Sequence, residues 1–182
     1  SAQAAVEAFF SWTEQAFIHL AILQGRLRSG EDVGEIAEAD WKTKFKAALD
    51  VSDAQTKKHY DSLLNLRAQI RNFMAHGAFG KRGEAFRFHS GAGAVPVLLT
   101  GRQVHRYSFT GEPAFDERGA ITEIERFIKH LWSGPRLPAR HYVFSSLPGI
   151  LTYVADGTYA RAMQSDDEMK EFVDGLARQF RG

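Results

Sequence analysis

The chain has 182 residues, of which 44% are hydrophobic and 25% charged, as is usual for a globular domain with a substantial core. Its formal net charge of +1 excludes a uniformly basic nucleic-acid-coating protein, so any RNA contact has to come from a local patch. The chain has no cysteine, which excludes disulfides, thiolate metal sites and cysteine nucleophiles. The sequence shows neither a membrane-spanning run nor a signal-peptide pattern, so we predict a cytoplasmic protein with no membrane partner.

Hydrophobic periodicity predicts three helices in the first part of the chain. Residues 4–27 form the first helix, which is apolar on more than one face and is therefore buried on both sides or part of a subunit interface. Residues 28–40 are polar, contain two glycines and predict a loop. Residues 41–49 form a short amphipathic helix, and Asp53 is the predicted N-cap of a third helix that ends at Gly77.

The pattern changes after the third helix. Residues 84–110 alternate apolar and polar side chains between glycines, which predicts two or three short strands. Residues 120–132 return to helical spacing, and Ser165 with Glu168 has the pattern of a capping box before the last helix. We therefore predict a mostly α single domain over residues 1–182, with a small β-strand insertion after the third helix.

Residues 148–163 fit two structures. Their apolar side chains have helical spacing, whereas Asp156 and Gly157 between alternating residues are typical of a hairpin turn. We favour the helix and leave the hairpin open.

Several common sites are absent from the sequence. No segment has the spacing of a dinucleotide fingerprint, a phosphate-binding loop, a zinc-protease HExxH motif or a GxSxG nucleophile elbow. We therefore predict no cofactor and no metal. Six of the seven histidines have no polar cluster around them in the sequence and are expected to be ordinary surface or core-edge residues.

The exception is the segment RNFMAHG, residues 71–77, at the end of the third helix. Asn72 and His76 are one helical turn apart and share a face, Arg71 is offset to its side, and Arg67 lies one turn before Arg71. The helix C-terminus favours imidazolium while the neighbouring arginine opposes it. A histidine under both influences is expected to titrate near neutral pH, which suits proton transfer.

Cleavage of RNA by its own 2′-hydroxyl requires groups of these types. A histidine takes or gives the proton, an arginine stabilises the charged transition state, and an asparagine orients either of them, with no metal required. The same residues also fit a second interpretation, a helix end whose histidine caps the last carbonyls and whose arginine is solvated. By local chemistry that second interpretation is the more common one.

The same residues resemble the Arg-x4–6-His motif of the HEPN family (higher eukaryotes and prokaryotes nucleotide-binding), in which a polar residue such as Asn72 often follows the arginine. The aromatic-rich segment FFSWTEQAFIHL, with Glu14, is similar to the first helix of several HEPN groups. The resemblance implies a HEPN-like helical bundle, a homodimer with two motifs at a shared cleft, and a metal-independent endoribonuclease of toxin–antitoxin or defence systems. It implies catalytic roles for Arg71, Asn72 and His76, with Glu14 in support. For Glu14 two interpretations stay open, pairing with Arg71 or an ordinary exposed helix glutamate.

The resemblance also suggests partners. Arg67, Lys81 and Arg82 are expected to bind the RNA backbone, and an antitoxin or a nucleotidyltransferase is an expected protein partner. Two alternatives stay open at this point. One is a catalytically inactive HEPN-like module that binds a nucleotide, RNA or a protein, and the other is a helical scaffold in which RNFMAHG is only a helix end.

Overall fold

A computed structural model of the chain describes residues 1–79 and 115–182, with the side chains of residues 76–79 outside the description. The described residues form helices and turns, which confirms the mostly α class. The strands predicted for residues 84–110 lie outside the described residues. Within the described ranges, no helix is long and apolar enough to cross a membrane.

The helices are, in chain order, α1 (Ala2–Leu23), α2 (Gly30–Glu38), α3 (Trp41–Ala48), α4 (Ala54–Phe79), α5 (Glu117–Leu131), α6 (Ala139–Val143), α7 (Thr152–Ala155), α8 (Thr158–Ala162) and α9 (Asp166–Arg181), with a 3-10 turn at Gly134–Arg136. By internal contacts the chain divides into two compact units. The first comprises Ser1–Val6 and Ser62–Glu123, and the second comprises Glu7–Asp61 and Ile124–Gly182. The assignment of the whole chain to a single domain stays a prediction.

The second unit has an aromatic core. Phe17, Phe45 and Phe127 come from α1, α3 and α5, are fully buried, and lie with ring centroids 5.3 to 6.3 Å apart. Trp41 packs against the same cluster, and its indole Nε1 donates a 2.9 Å hydrogen bond to the buried Thr13 hydroxyl of α1. Each aromatic side chain removes a large apolar area from water, so this cluster holds α1, α3 and α5 together.

Helix α1 is buried on more than one side within the chain itself. Phe9, Phe10, Phe17 and Ile22 are all buried although they do not share one face of the helix. The sequence left two explanations for these apolar residues, burial on both sides and a subunit interface. Burial within the fold accounts for them. The apolar character of α1 no longer argues for a subunit interface.

Residues 28–40, predicted as a loop, instead contain helix α2, so that prediction is wrong. Ser29 caps the helix by accepting a 3.1 Å hydrogen bond from the backbone N–H of Asp32, and Glu31 and Asp32 lie in the first turn, where acidic side chains favour the helix dipole. No residue of α2 is buried. Val33, Ile36 and Ala37 do have helical spacing, whereas the prediction of a loop relied on the polar composition and the two glycines of this segment.

The start of α4 is as predicted and its end is not. Asp53 caps the helix, because its Oδ2 accepts a 2.9 Å hydrogen bond from the backbone N–H of Thr56. The helix continues through Gly77 to Phe79, so the prediction that Gly77 ends it is wrong. Glycine lowers helix propensity by only about 1 kcal/mol, which a long helix tolerates.

The helical structure favoured for residues 148–163 is confirmed in part, because residues 152–155 and 158–162 are helical and residues 148–151 are not. Two short helices, α7 and α8, follow each other, and Gly157 between them adopts the left-handed conformation with φ 81°. The predicted cap of the last helix is also confirmed, because the Ser165 hydroxyl accepts a 3.1 Å hydrogen bond from the backbone N–H of Glu168.

Candidate functional site

The predicted catalytic segment lies in the second half of α4. Leu63, Leu66 and Ile70 are buried and define the packed stripe of this part of the helix. Arg71 and Asn72 directly follow Ile70, so the helical turn carries both away from that stripe, and both are exposed.

The backbone of the whole segment is helical, since α4 extends to Phe79. Positions 72 and 76 are therefore one helical turn apart, as the sequence pattern requires. The side chain of His76 lies outside the described residues. Its solvent access and its partners stay predictions.

A ring contact holds the helix within this segment. The rings of Phe73 and Phe115 lie with centroids 5.5 Å apart, and both belong to the first unit. Met74, the next residue along the helix, is 39% exposed. The stripe formed by Leu63 and Ile70 thus weakens toward the helix end, where polar side chains become accessible.

The guanidinium of Arg71 is open for binding. No hydrogen bond or ion pair joins it to another described residue, so its positive charge is not neutralised within that part of the chain. An exposed, unneutralised guanidinium is the group that binds a phosphate through two parallel hydrogen bonds. Arg67, one turn earlier, is half-buried. Lys81 and Arg82, the other predicted RNA-binding residues, lie outside the described residues.

Glu14, the predicted supporting residue, has a structural partner in the second unit. Its Oε1 accepts a 3.2 Å hydrogen bond from Nζ of Lys44, which is only 7% exposed as a residue. The pair connects α1 to α3. Sequence reasoning considered Arg71 as a partner and missed Lys44.

A signal for this pair was present in the sequence. Lys44 lies three residues after Trp41 and next to Phe45, on the apolar side of α3. A lysine on a buried helix face needs a carboxylate partner, because an unpaired buried charge is costly. The Glu14 side chain itself is 42% exposed, so water reaches the carboxylate side of this pair.

Two histidines predicted to be unremarkable lie against each other in the second unit. The rings of His59 and His130 are stacked with centroids 4.8 Å apart, although 71 residues separate them in the sequence. Thr56 donates its hydroxyl proton to Asp53 at 2.8 Å, so Nε2 of His130, at 2.8 Å from the same hydroxyl, is the donor of the bond between them.

Electrostatics around His130 oppose its protonation. Its pKa is lowered from the ordinary value by burial first, then by the positive charge of Arg136 and by His59, while Asp53 acts in the opposite direction. The guanidinium of Arg136 donates to the carbonyls of His130 and Leu131 at 2.8 and 2.9 Å, at the end of α5. Thr56 and His59 are buried. The cluster therefore joins the start of α4 to the end of α5 and is not an open catalytic site.

The described residues offer no built metal centre. In residues 1–79 and 115–182, no three histidine, aspartate or glutamate side chains lie close enough together to hold a metal ion. Arg71 and Asn72 thus remain the accessible polar pair that the sequence selected. In comparisons with known proteins, no family model, no curated protein and no solved structure matches the chain.

Proposed function

We propose that this protein is a HEPN-like, metal-independent endoribonuclease. The observation that carries the proposal is the exposure of Arg71 and Asn72 on a helix that continues unbroken through position 76. This supports the proposal because a continuous helix holds positions 71 and 76 at a fixed spacing. A fixed spacing is needed for an arginine and a histidine to act on the same phosphate group. The resemblance of residues 71–77 to the Arg-x4–6-His motif supports it independently.

The proposed catalytic role of each residue follows from the chemistry of its side chain. His76 takes the proton of the RNA 2′-hydroxyl or returns one to the leaving oxygen. Arg71 stabilises the negative charge that develops on the phosphate in the transition state, and its lack of an ion pair within the described residues leaves it available for that role. Asn72, one turn from His76, orients the imidazole or the phosphate.

The proposed reaction is an intramolecular transesterification, in which the nucleophile is the RNA 2′-oxygen and not water. The 2′-oxygen attacks the neighbouring phosphorus, the bond from phosphorus to the 5′-oxygen breaks, and a 2′,3′-cyclic phosphate and a 5′-hydroxyl end are formed. One proton leaves the 2′-hydroxyl and one reaches the 5′-oxygen. DNA lacks the attacking hydroxyl and is not a substrate.

We also propose that the active form is a homodimer. A single Arg-His motif supplies one histidine for two proton transfers, and the same histidine of a second copy would supply the other. In this arrangement Arg67, Lys81 and Arg82 bind the RNA backbone, and the chain forms a HEPN-like bundle with a strand insertion. The ion pair of Glu14 with Lys44 supports a positioning role for Glu14 between α1 and α3. A toxin or defence setting, with an antitoxin or a nucleotidyltransferase as partner, fits this chemistry.

The experiment uses purified protein with single-stranded RNA in the presence of a chelator. We expect cleavage that leaves 2′,3′-cyclic phosphate ends, no cleavage of DNA, and loss of activity in Arg71→Ala and His76→Ala. Arg118→Ala is the matched control, because Arg118 is an equally exposed arginine of the first unit outside the motif. Activity that requires added metal, or that persists in both variants, would overturn the proposal. Binding of RNA without cleavage would instead identify the inactive HEPN-like module.

A further inference from the structure

A second aromatic cluster of the second unit lies at the surface. The rings of Phe144 and Trp12 are stacked nearly parallel, with an interplanar angle of 13° and centroids 5.6 Å apart. Trp132 packs against both, at 5.9 Å from Phe144 and 6.4 Å from Trp12. Phe144 is nevertheless 62% exposed. One side of its ring is thus supported by tryptophan while much of the side chain faces water.

The turn after α6 holds Phe144 in this position. The Ser145 hydroxyl donates to the carbonyl of Tyr142 at 2.6 Å and accepts from the backbone N–H of Leu147 at 3.1 Å. Ser146 adopts the left-handed conformation with φ 64°, which is uncommon for a residue other than glycine. The exposed ring is therefore part of a defined turn.

A cavity of about 440 Å³ adjoins the ring, between α6 and α9. Phe144 lines it together with Arg140, His141, Lys170 and the carboxylate of Asp174. Its volume is within the range of roughly 300–1,000 Å³ that is usual for small-molecule sites. An aromatic wall thus stands beside several polar and cationic groups.

Two donors of this cavity are held in place by one carboxylate. Asp166, in the first turn of α9, accepts hydrogen bonds from the guanidinium of Arg140 at 3.2 Å and lies 2.9 Å from Nε2 of His141. Since Asp166 offsets one positive charge and Asp174 another, the cavity is close to electrically balanced. Net positive charge alone therefore does not make this cavity a phosphate-binding site.

Two unsatisfied groups belong to the same region. In the described part of the chain, the buried side-chain nitrogens without a hydrogen-bond partner are Nε1 of Trp132 and Nε of Arg140. Buried donors are nearly always paired, so these two nitrogens are exceptions, and both belong to residues at or beside the cavity. Trp132 packs on Phe144, and Arg140 lines the adjoining cavity.

We infer that this surface, formed by Phe144, Trp12, Arg140, His141 and Lys170, binds a nucleobase of single-stranded RNA outside the proposed cleavage site. The base continues the Trp12–Phe144 stack, and Lys170 and Arg140 contact the adjoining phosphate. Aromatic stacking is tolerant of sequence because every base has a flat face. The choice of RNA as ligand rests on the proposed function, while the stacking site itself rests on the geometry of α1, α6 and α9.

The test uses the full chain with His76→Ala, so that RNA stays intact during binding. A fluorescein-labelled decauridine is titrated, with anisotropy and tryptophan fluorescence recorded in parallel, and unlabelled UMP is titrated separately to distinguish a chain from a free nucleotide. We expect quenching of tryptophan fluorescence on binding, since Trp12 and Trp132 adjoin the site.

Three substitutions separate stacking from other effects. Phe144→Ala should weaken decauridine binding by at least about fivefold, the lower range for loss of one stacked base, whereas Phe144→Tyr should retain it. Phe180→Ala is the matched control, because Phe180 is 59% exposed and forms no ring pair within the described residues. Circular dichroism checks that all three variants are folded.

The outcomes distinguish this inference from the proposed function. Quenching and Phe144-dependent binding in a protein that never cleaves RNA would support the stacking site and reject the nuclease. A second outcome is that RNA cleavage depends on Arg71 and His76 as given above, while Phe144→Ala leaves decauridine binding unchanged. This result would overturn the stacking site alone. Equal loss of affinity in Phe144→Ala and Phe180→Ala would also overturn it. Binding of UMP as tight as that of decauridine would overturn the assignment to an RNA chain.

Discussion

Thr56 and His130 are joined by a 2.8 Å hydrogen bond that connects the first turn of α4 to the last turn of α5. Because the Thr56 hydroxyl gives its proton to Asp53, Nε2 of His130 carries the hydrogen of this bond. The second ring of the cluster, His59, is stacked on His130 and is buried. Burial and the charge of Arg136 lower the pKa of His130, so a positive charge on its ring is disfavoured in the folded protein.

The first prediction concerns pH and stability. The folded-state pKa of His130 lies below its ordinary value of 6.5, because of burial and then the charges of Arg136 and His59, and that of His19 is lowered by burial as well. Below pH 6.5 the unfolded chain binds these protons while the folded chain does not. The free energy of unfolding should therefore fall as pH falls through 6.5, until the folded-state pKa values are reached.

Urea unfolding at pH 7.5 and 5.5 measures this effect. His130→Gln and His19→Gln should each reduce the loss of stability between the two pH values. The slope of unfolding against urea should stay constant, so that midpoints can be compared directly. An equal loss in the double variant and in the unsubstituted protein would show that other groups cause the pH dependence.

The second prediction concerns Glu14 and Lys44. Glu14→Ala leaves a lysine that is 7% exposed without its partner. Breaking a fully buried ion pair costs about 3–5 kcal/mol, and since Glu14 is itself accessible to water we expect about 1–2 kcal/mol here. Urea unfolding checks this value, and the double variant Glu14→Gln/Lys44→Met should recover part of the stability.

The same variant tests the role of Glu14 in cleavage. If Glu14 only positions α1 and α3, Glu14→Ala should retain full activity per folded molecule. Glu38→Ala is the control for stability, because Glu38 is an exposed glutamate of α2. An unchanged unfolding midpoint in Glu14→Ala would contradict the structural role, and a large loss of kcat without a loss of stability would assign Glu14 to the active site.

The third prediction gives magnitudes for the proposed nuclease. His76→Ala should lower kcat by about 10²–10⁴-fold, as expected for a general acid or base. Arg71→Ala should lower it by about 10²–10³-fold, as for the loss of one group that stabilises transition-state charge. Asn72→Ala should have a smaller effect than either.

Steady-state cleavage of a labelled RNA measures these changes. Asn65→Ala is the control for Asn72, since it removes an exposed asparagine from the same helix. Both exposed positions should tolerate substitution without unfolding, so circular dichroism should be unchanged. An Asn72→Ala variant less active than His76→Ala would require a different assignment of roles.

The fourth prediction concerns assembly. If the histidines of two copies serve one cleavage, a mixed dimer of the unsubstituted protein and His76→Ala should be inactive. Excess His76→Ala should then inhibit cleavage after subunit exchange, whereas excess Arg118→Ala should not. Light scattering should give the mass of a dimer at tens of micromolar; a monomer that keeps full activity would contradict this assembly.

Local signals in the sequence determined much of the helical structure. The caps Asp53 and Ser165, and the buried stripe of Trp41, Phe45 and Leu49, depend on residues within one or two turns of each other. Such interactions are encoded by spacing, so they can be predicted from the sequence. The sequence likewise selected Arg71 and Asn72, which the fold leaves exposed, although their role in chemistry stays a prediction.

Other features were decided only by the tertiary structure. Helix α4 continues past Gly77 to Phe79, although a glycine at this position is a local signal for a helix end. The stacking of His59 on His130 joins residues far apart in the chain, and the exposed stack of Phe144 on Trp12 does the same. Spacing within a helix specifies neighbours only over a few residues, whereas packing of helices decides which distant side chains meet and which remain accessible to solvent.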